Sequence, residues 1–199
     1  MNLFDRLDAV RDRWNVLRHP FYRRWECGEL TLDDLAYYAG EYRHAVAALA
    51  TLAKTSSSPE HAAEEAAHVT LWGGFAHSLD ADVRRPARTE TLACVDAWTS
   101  AADDLEGVAA LYAIESAQPD ISQTKLDGLV EHYGFEPGSA GTAYFELHAE
   151  RDHDHAEESR RVLAERVQPE DEDRVVAAAE RVLAGNWTLL DGVEAHVRG

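Results

Sequence analysis

His148, Asp152 and His155 stand at i, i+4 and i+7 in the run from Tyr144 to His155. On a helix these three side chains share one face, one above another. Two imidazoles and a carboxylate converging from two turns make half of a site for a first-row transition metal. The plainer alternative is a solvated polar face, which suits His153, Asp154, Glu157 and Glu158 on the other sides. A second run, Glu64-Glu65-Ala-Ala-His68, puts Glu65 three residues before His68. Glu-x-x-His on a helix is the arrangement of carboxylate-bridged dinuclear iron and manganese bundles. Glu64, at i, i+4 from His68, is the neighbouring choice for the first carboxylate. Glu115 is the third piece. It lies among Val108, Leu111, Tyr112 and Ile114, and a carboxylate buried there alone would be costly without a partner or a metal. Together Glu65, His68, Glu115, His148, Asp152 and His155 offer three carboxylates and three imidazoles. That set suits two ions, Fe/Fe or Fe/Mn, each with an open position, rather than a closed tetrahedral zinc.

Such donors need helices to aim them, and the sequence supplies little else. Leu3, Leu7, Val10, Trp14 and Leu17 recur at helical spacing up to His19-Pro20. A short piece over about Phe21 to Glu26 stops at Cys27-Gly28. Thr31, with Asp34 three later, opens a long helix to about Lys54. Ser58-Pro59 restarts the chain, and a helix follows to about Leu79, where Gly73-Gly74 marks close packing or a bend. Residues 80–88 read as a loop. Thr89 to Ala102, Asp104 to Ala117 and Ile121 to Tyr133 follow as helices, with a break at Pro119. Ala140 to Val167 and Pro169 to Val197 are the last two. No segment alternates convincingly enough for a sheet. The expectation is an all-α bundle of seven or eight helices in one domain over residues 1–199.

The charge narrows the partners. Of 199 residues, 19 are Lys or Arg and 37 are Asp or Glu, for a net charge of −18. Only Lys54 and Lys125 are lysines. So acidic a surface argues against the phosphate backbone of nucleic acid and against anionic membranes. An acidic, lysine-poor chain resembles proteins of salt-loving archaea, where salt screens the self-repulsion. The start, Met-Asn-Leu-Phe-Asp-Arg, lacks a signal-peptide pattern, and Cys27 and Cys94 are too few for a disulfide framework. A cytoplasmic location is expected, and a two-fold homodimer is the default assembly.

Three stretches resemble the heme-oxygenase-like family that holds TenA, the cofactor-synthesis protein PqqC and the dinuclear-iron oxidases. They are His19-Pro20-Phe21-Tyr22 to Trp25, the string from Tyr112 through Glu115, Pro119, Thr124 and Lys125 to Gly128-Leu129, and the His148-Asp152-His155 run. Within that family the Glu-Ser-x-x-Pro…Thr-Lys-x-x-Gly-Leu string is similar to the branch of the Chlamydia protein associating with death domains, which is linked to folate metabolism. The resemblance spans about residues 3 to 195. It implies a dinuclear-metal oxygenase, with O2 as co-substrate, that makes the p-aminobenzoate moiety of folate. The carbon skeleton would come from one of the protein's own tyrosines and the nitrogen from a lysine near the metals. By motif that lysine is Lys125, ten residues after Glu115. Tyr22 is the first choice for the consumed tyrosine, with Tyr38 and Tyr144 as the others. One spacing departs: the chlamydial branch sets the first Glu farther before the His than Glu65 stands before His68. The shorter spacing resembles relatives that oxidise a separate small molecule, a fatty or an amino acid.

Three rivals differ in kind. A TenA-like thiamin-degrading enzyme needs an activated cysteine nucleophile, and neither Cys27 nor Cys94 stands in the Glu115 helix. A metal-free PqqC-like oxidase would leave the carboxylates without a purpose. A partner-binding helical module would have no use for six inward-facing ligand-type side chains.

Overall fold

A computed structural model describes residues 2–199. It contains α1 (Leu3–Arg13), α2 (Pro20–Glu26), α3 (Leu32–Ser56), α4 (Pro59–Ser78), α5 (Thr89–Thr99), α6 (Asp104–Glu115), α7 (Gln118–His132), α8 (Ala143–Arg166) and α9 (Glu172–Val197). There is no strand among the described residues. Eight of the helices run eleven residues or more; α2 has seven.

The starts follow from side chains that satisfy free backbone N–H groups. Asn2 with Asp5, and Thr31 with Asp34, form reciprocal capping boxes at α1 and α3. The Ser58 hydroxyl caps α4 and Asp103 caps α6. The first helix ends four residues before Leu17, because Asn15 accepts from the Leu17 N–H and turns Val16–Arg18 into a single 3₁₀ turn. Pro119 does not delay α7 as its break suggested. It occupies the first turn, where a missing N–H is harmless, so α7 begins at Gln118. Thr89 is inside α5 and Arg88 stands at its cap, with no side-chain bond there.

The helices wrap a continuous apolar cluster. Helix α3 packs on α4, α5 and α6; α9 lies along α5, α6 and α1; α8 lies on α6, α7 and α4. The α4, α6 and α8 faces therefore meet in the interior, and α2 closes on α7. Several glycines permit close approaches, and two of them bear on the interior of the bundle. A Cβ on Gly74 would lie 2.8 Å from the Ala140 carbonyl oxygen, and one on Gly128 would lie 2.8 Å from Trp25. Gly74 therefore marks close packing, whereas Gly73 faces open space. No helix among the described residues is long and apolar enough to cross a membrane.

Candidate metal centre

Helix α8 places His148, Asp152 and His155 on its buried face, as their spacing required. Helix α4 places Glu65 and His68 opposite, and it adds His61, one turn before Glu65. The two helices carry the same pattern: His, a carboxylate four on, a His three further. Glu115 joins from the last turn of α6. All six expected donors are brought together, and His61 makes a seventh. The pattern repeated at 61-65-68 and 148-152-155 was the signal for it, and reading the α4 segment only from Glu64 onward missed it.

The helices face each other head to tail. The His61 ring stacks on His155 with centroids 3.9 Å apart, and His68 meets His148 edge-on at 4.5 Å. One end of the centre thus holds His61, His155 and Glu115. The other holds His68 and His148, with Glu65 and Asp152 between. His61 Nε2 lies 2.9 Å from Glu115 Oε1 and 3.9 Å from Glu65 Oε1. His68 Nδ1 lies 3.0 Å from Glu65 Oε1. His61, Glu65, Glu115 and His155 have donor atoms all within 4.8 Å of one another.

These contacts are close without being hydrogen bonds. His61 Nε2, Glu65 Oε1, His68 Nδ1, both Glu115 oxygens, His148 Nε2, Asp152 Oδ1 and His155 Nδ1 are buried with no hydrogen-bond partner. So many orphaned polar atoms would be costly in a finished core. Two ligands bound at right angles, each about 2.1 Å from a metal, would lie about 3.0 Å apart, which is the separation of the His61–Glu115 and His68–Glu65 pairs. The donor set fits metal ions. It offers imidazole and carboxylate without thiolate, the chemistry of iron and manganese sites.

Neighbouring carboxylates orient the imidazoles. His148 Nδ1 is 2.8 Å from Asp152 Oδ2, which leaves Nε2 facing inward. His155 Nε2 is 3.1 Å from Glu64 Oε2, which leaves Nδ1 facing inward. Glu64 is half-exposed and holds His155 from outside, whereas Glu65 is buried among the other candidate donors. Burial pushes the Glu115 carboxyl up to about 7 against the pull of His61. At Glu65 burial also works upward, but the adjacent His68 imidazole and the His148 and His61 charges outweigh it and the pKa falls.

The end at His68 and His148 abuts aromatics. Tyr144, one turn before His148, lies 4.2 Å from its ring, and Trp72, one turn after His68, lies 4.9 Å from Tyr144. Beyond Trp72 come Tyr42 and Tyr38, at 5.1 and 5.9 Å. In their midst is Lys125, only 3% exposed. Its Nζ donates to the Tyr38 hydroxyl at 2.9 Å and sits 4.4 Å from the Tyr22 ring centroid. The Tyr22 and Tyr38 hydroxyls are 2.8 Å apart. Burial holds the Lys125 amine well below its usual pKa and pushes the Tyr22, Tyr38 and Tyr144 phenols well above theirs. Burial thus favours the uncharged form of the amine and keeps the surrounding phenols protonated. Sequence reasoning placed Lys125, Tyr22 and Tyr38 without their contacts, and it passed over Tyr42, whose ring is 5.0 Å from Nζ. Cys27 is exposed, and burial pushes the Cys94 thiol up, away from a nucleophilic thiolate.

The family of iron-containing redox enzymes matches residues 35–187. This chain belongs to that family. It has curated relatives over nearly its whole length. A protein named 4-aminobenzoate synthase from Chlamydia muridarum is 30% identical over 213 residues, covering 96% of this chain and 89% of that one. One of the same name from Nitrosomonas europaea is 28% identical, covering 94% and 89%. Among solved structures, a Shewanella denitrificans domain of unknown function with a heme oxygenase-like fold has a TM-score of 0.79 at 19% identity, covering 100% of this chain and 94% of that one. A TenA homologue from P. horikoshii has 0.72 at 16%, covering 100% and 99%. The fold is heme oxygenase-like.

Proposed function

We propose that this redox enzyme makes 4-aminobenzoate, taking the carbon skeleton from Tyr22 and the nitrogen from Lys125. The observation that carries the reading is the buried Lys125 amine against the Tyr22 ring, inside a protein whose relatives bear the name 4-aminobenzoate synthase. His61, Glu65, His68, Glu115, His148, Asp152 and His155 would hold two metal ions, Fe/Fe or Fe/Mn, which supply the redox chemistry of dioxygen.

A tyrosine side chain already holds the ring, with Cβ where 4-aminobenzoate has its carboxyl carbon. Conversion breaks the Cα–Cβ bond and oxidises Cβ to the carboxyl level, with dioxygen taking the electrons. The phenolic oxygen leaves as water and the Lys125 nitrogen replaces it. A second dioxygen takes two electrons as the Nζ–Cε bond breaks, water supplies the oxygen with which Cε ends as an aldehyde, and Cα takes a hydrogen and is left as a glycine residue. A protonated ammonium has no lone pair for this, so burial without a carboxylate partner serves the step by favouring the neutral amine. Tyr22 offers its ring face to Nζ, whereas Tyr38 meets Nζ through its hydroxyl. Tyr38, bonded to both, is placed to pass a proton between amine and phenol. Trp25 Nε1 donates to the Lys125 carbonyl at 3.2 Å and fixes that turn of α7. Tyr144 walls the centre at His148, and the buried aromatics around Lys125 exclude water.

The test is protein grown on ε-¹⁵N-lysine, loaded with iron and manganese without oxygen, then exposed to O2, with the product analysed by mass spectrometry. We expect ¹⁵N-labelled 4-aminobenzoate from the parent, and none from Lys125→Arg or Tyr22→Phe, both retaining about two metals per chain. Unlabelled product, or undiminished product from Lys125→Arg, removes the lysine from the reaction. If neither variant changes the yield, oxidation of a separate small molecule becomes the better reading.

A further inference from the structure

The two ends of the centre differ one turn beyond their histidines. Past His68 and His148 stand Trp72 and Tyr144, both at most 2% exposed. Past His155 stands Ser159, and before His61 stands Ser58 at the start of α4. Between them, where α3 hands over to α4 and α8 passes, lies a cavity of about 210 Å³. Its wall includes Ser58, His61, Glu158 and Ser159, with Asp104 and Arg166 at the edge. At about 30 Å³ per water it has room for roughly seven waters, the size of a hydrated divalent cation.

We infer that this serine-lined cavity is the inlet through which a divalent cation reaches the centre, with Glu158 as its first carboxylate and His61 as the first ligand met. The inference rests on the metal-binding reading above. Four features of the cavity suit a cation. Hydroxyl oxygens replace part of a hydration shell. The Arg166 charge is neutralised by Asp104 at 2.5 Å. Glu158 adds negative charge, and the net charge of −18 draws cations from solution. The inner wall is a ligand. The other approach, past half-exposed Glu64, carries Arg151, whose charge is compensated less closely than that of Arg166, at 3.8 Å from a carboxylate that His155 also engages. The aromatic end is closed by buried Trp72 and Tyr144.

The experiment is anaerobic stopped-flow loading of the metal-free full chain with Co²⁺, read by its ligand-field absorption, alongside equilibrium metal content by elemental analysis. Glu158→Gln should load roughly 3- to 10-fold more slowly at low ionic strength, a difference that shrinks in high salt. Ser159→Leu, which fills the cavity with apolar atoms, should load slowly at every ionic strength. Both should reach the parent's final Co²⁺ content. Asp82→Asn removes the same charge near the opposite end of α3 and should load like the parent. Parent-like rates in both cavity variants, with parent-like final content, overturn the inlet while leaving the centre standing. Equal slowing by Asp82→Asn overturns it in favour of general charge steering. A parent that binds no Co²⁺ at equilibrium overturns the centre and the inlet together.

Discussion

Glu64 shows how much a single side chain outside the centre can matter. It touches no other expected donor, yet its bond to His155 Nε2 decides which nitrogen faces inward. Losing such a support typically weakens metal binding about 10- to 100-fold. Glu64→Ala should do so by metal titration, with Glu64→Gln closer to the parent, while the melting temperature of the metal-free protein stays put. Equal affinity in all three would show that stacking on His61 alone orients the ring. Lys125 gives the second residue-scale expectation. Its folded pKa lies below its unfolded one, so between the two values the unfolded chain holds a proton that the folded chain does not. Stability then rises with pH up to the unfolded pKa, by at most about 1.4 kcal/mol per unit, and is lost as pH falls. Lys125→Met should be more stable than the parent at pH 7, and the gap should narrow toward pH 10. A constant gap would mean that the amine is charged in the fold.

At the scale of elements, the site depends on how closely helices approach. Gly128 lets α7 lie on Trp25 of α2, which holds Lys125 over Tyr22. Gly128→Ala should cost about 1–3 kcal/mol by overpacking, measured by thermal unfolding, and lower 4-aminobenzoate yield at unchanged metal content. Unchanged yield would place the amine's alignment elsewhere. The helices and most of the donors were legible in the sequence because i, i+4, i+7 spacing is a local property, and His148, Asp152 and His155 display it in full. Glu115 was legible because a carboxylate among apolar neighbours contradicts its own helix. His61 was not read, though its spacing to Glu65 is equally local, since it stands in the first turn beside Ser58-Pro59 and resembles a capping residue. The contacts of Lys125 with residues 22, 38 and 42 were illegible for another reason: they join α7 to α2 and α3 across some hundred residues, and no spacing rule spans that. The end of α1 was lost to a side-chain bond, Asn15 to Leu17, that outweighed a continuing apolar period.

The whole molecule carries 37 acidic against 19 basic residues. Many of the basic ones are paired, as Arg174 is with Asp103 and Asp171, and Arg6 with Glu172 and Asp173. The remaining acidic charge repels itself over a surface where the screening length is about 10 Å at 0.1 M salt and about 3 Å at 1 M. Raising NaCl across that range should therefore raise the melting temperature, although it weakens each surface pair. A falling melting temperature would mean that the pairs outweigh the repulsion.

The unlike ends of the centre have a consequence for how the protein ages. Oxidising equivalents that escape toward Ser159 meet hydroxyls, which resist them; those that escape toward Tyr144 and Trp72 meet electron-rich rings. Old molecules should therefore carry a lopsided scar, with added oxygen on the peptides around residues 72 and 144 and little on those around 58 and 159. A peptide map of protein left under dioxygen would then show that asymmetry directly.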